Sequence, residues 1–113
     1  MKNFQISASN LILEKINGLK FGLVSAKKLN IKNDDAFFQN EFDKLKLFLE
    51  SKFAEMAPAE DEVVGHVRRM YRRIGWEPTR YRPSSEALIR RILKGLNLYR
   101  INNLVDFGNL ASA

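Results

Sequence analysis

Apolar residues change their spacing several times along the chain, and each spacing predicts a different element. Phe4 and Ile6 alternate with polar neighbours, which suits a first strand over Asn3–Ser7. Leu11, Ile12 and Ile16 follow Ser9 and Asn10 as a short helix would, and Gly18 is a natural stop. Leu19–Ala26 returns to alternation, with Phe21 and Leu23 on one face, and reads as a second strand. Leu29–Ile31 is a third short apolar stretch whose state the pattern leaves open.

The longest signal is helical. Phe38, Phe42, Leu45, Leu49, Phe53 and Met56 recur on one face behind Asn33 and Asp34, which predicts a capped helix running to about Met56, and Phe37 and Phe48 widen the stripe. Pro58 ends it. A further helix opens at Ala59-Glu60-Asp61-Glu62, with acids at the positive end of its dipole. Val63, Val67, Met70 and Ile74 form the expected buried seam, Arg68, Arg69, Arg72 and Arg73 lie off it, and Gly75 closes it. Trp76–Pro83 is a loop punctuated by Pro78 and Pro83. Ser84 or Ser85 is placed to cap a helix carrying Leu88, Ile89, Ile92 and Leu93, which Gly95 stops. Asn97–Arg100 is a short extended piece, and Asn102 or Asn103 starts a last helix. Val105–Ala113 is still patterned like a buried segment, so the chain reads as cut within a domain.

Charge sharpens this picture in one place. Residues 1–65 balance nine lysines against ten acids, whereas residues 66–100 carry nine arginines and one lysine against only Glu77 and Glu86. Guanidinium groups are weakly hydrated and fork onto phosphate, so an arginine block points to nucleic acid more strongly than an equal lysine excess. Arg68/Arg72 and Arg69/Arg73 are i, i+4 pairs whose mutual repulsion an anion would relieve. Two readings stay open: a phosphate-contacting face, or a solvated face paired with acids from Glu41–Glu62. In the loop, Trp76 and Tyr81 alternate with Arg80 and Arg82, a mixture that can stack unpaired bases while holding phosphate. The simpler expectation is that Trp76 and Tyr81 anchor the loop on the core.

Other chemistry is narrowly bounded. With no cysteine and only His66, thiolate catalysis and the usual structural zinc sites are excluded, and neither a metal nor a cofactor is expected. Ser84 and Ser85 lack a recognisable base beside them, so a helix start is their expected role. No apolar run approaches the roughly 18 residues of a membrane span, and the N-terminus has no signal-peptide core, which makes the cytoplasm the expected location. Asp106 and Asn109 share a face of the last helix and could hold an amine or hydroxyl; a cap or a buried polar bond is the plainer reading.

A family resemblance adds to these readings. The run Arg72-Arg73-Ile74-Gly75-Trp76-Glu77-Pro78-Thr79-Arg80-Tyr81-Arg82-Pro83-Ser84-Ser85-Glu86-Ala87-Leu88-Ile89-Arg90-Arg91 and the continuation Ile101-Asn102-Asn103-Leu104-Val105-Asp106-Phe107-Gly108-Asn109 resemble free-standing relatives of the tRNA-binding and editing domain of the phenylalanyl-tRNA synthetase beta chain. The likeness is most specific over residues 84–109, looser over 65–83, and confined to general layout before that. It implies an α+β fold, a mixed sheet of short strands with flanking helices, of which residues 1–113 would be the helix-rich N-terminal half. It implies tRNA, charged with an amino acid, as the partner, and hydrolysis of mischarged tRNA in trans as the activity when the domain is complete, with this portion inactive by itself. Asn109, Gly108 and Asp106 fall on the implied pocket wall. Gly108 stands where the family has a threonine, which removes a hydroxyl and leaves the amino-acid selectivity open. The arginines Arg68, Arg69, Arg72, Arg73, Arg80 and Arg82 are the expected tRNA contacts. A half-domain with uncovered edges would also self-associate. The alternatives are a non-catalytic RNA-binding or adaptor module and a binder of free amino acids.

Overall fold

Ser9 caps the first helix by accepting from the Ile12 N–H, and α1 runs Asn10–Lys15. In the computed structural model, which describes residues 4–33 and 36–113, four more α-helices follow: α2 Ala36–Lys52, α3 Glu62–Arg73, α4 Ser84–Leu93 and α5 Asn103–Ser112. A single 3-10 turn, Pro58–Glu60, separates α2 from α3.

There is no strand among the described residues, so the expected α+β fold with a mixed sheet is corrected to an all-helical arrangement. The physical reason lies in pairing. Phe4–Ser7 and Leu19–Ala26 have the alternation of strands, but no segment among the described residues takes up their backbone groups. Phe4, Phe21, Leu23 and Val24 all remain exposed. Residues 30–32 are held by the backbone and side chain of Asn103 instead. The Asn103 N–H donates to the Lys32 carbonyl at 2.8 Å, its Oδ1 accepts from the Lys32 N–H at 3.0 Å, and its Nδ2 donates to the Asn30 carbonyl at 2.9 Å. The expected cap at Asp34 and the first residue of the expected strand, Asn3, lie outside the described residues.

The core is the stripe that the sequence predicts on α2. Phe38, Phe42, Leu49 and Phe53 are buried, and Leu45 and Met56 pack against them. They meet Ile89 and Ile92 of α4, Leu98 of the following segment, and Leu110 near the end of α5. Each such burial contributes about 1.5–3 kcal/mol. α2 stops at Lys52 rather than Met56, because the chain turns to make new bonds. The Glu60 carboxylate accepts from the Ala57 N–H, and Lys52 pairs with Asp61 at 3.0 Å. Gly75 and Gly95, at φ of 86° and 78°, take the left-handed turn that ends α3 and α4.

The seam of α3 is rotated from its expected position. Val64 is buried and Val63 is 69% exposed, while Val67, Met70 and Ile74 are half-buried. Asp61 caps this helix through the Val64 N–H, fixing its start immediately after the 3-10 turn. The face that turns inward then carries Val64, Val67 and, one turn on, Arg68.

The molecule is flat, 48 × 44 × 19 Å, with a radius of gyration of 16.5 Å. A chain of this length packed as a compact globule would measure about 13 Å. The excess reflects the arm of residues 4–33, where only Ile16 is buried.

Candidate nucleic-acid interface

Glu86 divides the arginines into two groups. It lies three residues before Ile89, so the face of α4 that buries Ile89 buries Glu86 as well, at 0% exposure. A carboxylate there needs partners. Arg68 Nη1 donates to both of its oxygens, at 2.8 and 3.0 Å, and Arg90 Nε donates to Oε1 at 2.9 Å. Arg82 stands 3.8 Å away as a looser third cation. Arg68 also donates to the Thr79 hydroxyl at 3.1 Å, which ties the loop to α3. Burial works to raise the Glu86 carboxyl, but the hydrogen bonds from Arg90 and Arg68, with their charges, outweigh it and hold it below the ordinary glutamate value.

The remaining arginines of this region face outward. Arg69, Arg72 and Arg73 are exposed on α3, and none makes an ion pair or side-chain hydrogen bond to another described residue. None of the acids expected to neutralise them pairs with them among the described residues: Glu41 pairs with Lys44, Glu50 with Lys46 and Asp61 with Lys52, Asp43 accepts from the Gln39 amide, Glu60 accepts from the Ala57 N–H, and Glu62 lies 3.7 Å from His66. Arg80 is exposed, its guanidinium 5.2 Å from the Tyr81 ring centroid.

The loop after α3 is anchored through its prolines. Pro78 and Pro83 are buried, whereas Trp76 and Tyr81 remain 54% and 47% exposed. The expectation that these aromatics plug the core is therefore corrected: the rigid rings of proline occupy the interior, and the larger rings stay outside. They form a cluster there. Tyr71 meets the Trp76 indole edge-on at 6.3 Å, and Tyr81 leans on it at 5.3 Å. Exposed aromatic faces and the Arg80 guanidinium thus share the surface of residues 76–82, which follows directly on the outer arginines of α3.

The residues of the implied pocket wall have different surroundings. Asp106 is buried, its Oδ1 accepting from the Ile101 N–H and its Oδ2 from Arg100 Nε, each at 3.0 Å. Arg100 in turn lies 4.2 Å from the centroid of Phe38, so Asp106 fastens the 95–102 segment to the core. Asn109 is half-buried. Gly108 is exposed, and a Cβ added there would meet open space. Asn102 caps α5 by accepting from Val105 N–H. Ser84 is the first residue of α4 and neither serine caps it.

Sequence reasoning missed Glu86 as an organising residue. A signal was available: Arg82, Glu86 and Arg90 are spaced four apart, with the acid on the face of Ile89.

Among the described residues, no helix is long and apolar enough to cross a membrane, and no three His, Cys, Asp or Glu side chains gather as a metal site requires. Comparison with protein-family models, curated proteins and solved structures finds no match for this chain.

Proposed function

We propose that the chain binds RNA, and tRNA in particular, through the outer face of α3 and the loop that follows it. The observation that carries this reading is the allocation of charge. Glu41, Glu50 and Asp61 pair with lysines, Glu86 takes Arg68, Arg82 and Arg90, and Arg69, Arg72 and Arg73 are left without an ion pair among the described residues. Unneutralised guanidinium groups at i, i+4 spacing repel one another, and phosphate relieves that repulsion. The exposed aromatics of the loop that follows suit unpaired bases more than a regular duplex. The resemblance of residues 84–109 to a tRNA-editing domain favours tRNA among RNAs.

Binding of a tRNA to this chain across a salt series tests the reading. Affinity falls steeply with salt, and replacing Arg69, Arg72 and Arg73 by glutamine lowers the slope by up to about one unit each. Affinity and slope unchanged by the triple substitution would sink it.

Hydrolysis of a mischarged aminoacyl ester is a second reading, supported by the Ile101–Asn109 likeness. Gly108 leaves the backbone open to a ligand, and the Asn109 amide can donate to an ester carbonyl. Asn109→Ala then lowers deacylation more than it lowers tRNA affinity. A panel of mischarged tRNAs left intact by the wild-type chain leaves the binding role alone.

A further inference from the structure

One apolar hollow on this surface is bounded by a cation. It measures about 190 Å³, lies between α1 and the end of α3, and is lined by Leu11, Ile12, Lys15, Ile74 and Trp76. Leu11 is exposed, and so is the indole of Trp76 that forms one wall. Four of the five lining side chains are apolar, and the fifth carries an ammonium group. Arg73 precedes the lining residue Ile74 and is exposed, without an ion pair among the described residues. An apolar slot with an aromatic wall suits a planar ring system, and the ammonium group at its edge suits an anion attached to that ring. A nucleotide has both parts.

We infer that this hollow takes one unpaired base of an RNA strand, stacked on Trp76, with an adjoining phosphate held by Lys15 and the next along the strand within reach of Arg73. The inference rests on the RNA-binding reading and adds a subsite to it. It also gives α1 a role: a short helix that buries almost nothing of its own supplies the wall opposite the indole. Tyr71 and Tyr81 brace that indole through the ring contacts already described, so the wall is formed before the base arrives.

Trp76 is the only tryptophan in the chain, so its emission reports on this subsite alone. The probe is a labelled single-stranded oligoribonucleotide of roughly eight nucleotides, within the span of a small single-strand site. Two controls are an abasic oligomer of the same length and a blunt RNA duplex. The expected result is saturable quenching of Trp76 by the base-bearing strand, none by either control, and abasic binding weaker on the order of tenfold, the worth of one stacked base. Leu11→Glu puts a carboxylate into the hollow at an exposed position; it abolishes the quenching without changing the helical circular dichroism. Anisotropy of the label follows binding separately. A strand that binds without quenching, an abasic oligomer that binds equally well, or quenching that survives Leu11→Glu each overturns the subsite while RNA binding stands. Absence of binding by the oligomer and by tRNA alike at low salt overturns both.

Discussion

Arg68 and Arg72 are one helical turn apart on α3, yet the Arg68 side chain is 11% exposed against Glu86, while Arg72 stands in solvent with no ion pair among the described residues. The difference comes from what lies opposite each. Arg68 sits on the face that packs inward and meets a carboxylate that α4 cannot leave unpaired. Arg72 lies beyond the reach of that carboxylate, and no other acid among the described residues pairs with it. Equal residue types in one basic block therefore serve two ends. One group is part of the fold, and the other is available to an anion. A count of arginines cannot separate them; the position of a single buried acid does.

Removing that acid has the largest expected effect. Glu86→Ala leaves Arg68 and Arg90 without their carboxylate, and breaking a buried pair from one side costs about 3–5 kcal/mol. The lower part of that range is expected, because Arg82 and Arg90 can turn toward water. A urea titration of the variant measures the loss. A cost under about 0.5 kcal/mol would mean that Glu86 organises nothing and that Arg68 belongs with the outer group.

Acid should reach the same bond more gradually. The Glu86 carboxyl is held below its ordinary value of 4.5 by Arg90 and Arg68 against the opposing effect of burial. Asp61 is held below 3.8 by the Val64 N–H and Lys52. Groups with depressed folded-state values stabilise fully above their unfolded values and lose that contribution as pH falls toward the folded ones. Stability is therefore flat on this account above about pH 4.5 and declines below it. Glu86→Gln should shallow the acid limb, and an identical limb in the variant would remove Glu86 from the transition.

Much of this was legible in the sequence, and the failures have physical causes. Phe38, Phe42, Leu49 and Phe53 repeat at helical spacing over four turns, a signal long enough to fix both the helix and its buried face. Gly75 and Gly95 marked helix ends because only their left-handed turns let the chain leave. The strands failed because alternation describes one segment, whereas a sheet needs a partner, and Leu19–Ala26 has none among the described residues. The loop failed because a tryptophan is usually worth more inside than a proline; here Pro78 and Pro83 fill the interior. Of the six arginines expected to meet RNA, Arg69, Arg72, Arg73 and Arg80 are exposed without an acid partner among the described residues, and Arg68 and Arg82 adjoin Glu86. Such a division depends on tertiary neighbours and cannot be read from spacing along α3.

A smaller effect separates the groups on RNA rather than on stability. Arg72→Gln with Arg73→Gln should leave the urea midpoint within about 0.5 kcal/mol, as exposed substitutions do. The same pair should weaken tRNA binding on the order of tenfold near 0.1 M salt and reduce the salt slope by up to about two units. Arg82→Gln, whose guanidinium is already partly engaged by Glu86, should change the slope by less than either outer arginine. Equal slopes for Arg82→Gln and Arg72→Gln would erase the division between the groups.

The smallest expected effect tests the rotation of α3, on which the division depends. A seam of Val63, Val67, Met70 and Ile74 would put Val63 inside and turn Arg68 away from the core. In the structure Val64 is 6% exposed, and Asp61 fixes the helix start through the Val64 N–H. Trimming Val63 to alanine removes two methyl groups already in water, so the cost should stay below about 0.5 kcal/mol. The same change at Val64 removes them from the core and should cost about 2 kcal/mol, from lost burial and the cavity left behind. The two residues are adjacent and chemically identical, so helix propensity cancels between them and the difference reports burial alone. A larger loss at Val63 would mean that α3 is turned toward the seam expected from the sequence. Arg68 would then leave Glu86, join Arg72 in solvent, and the two groups of arginines would become one.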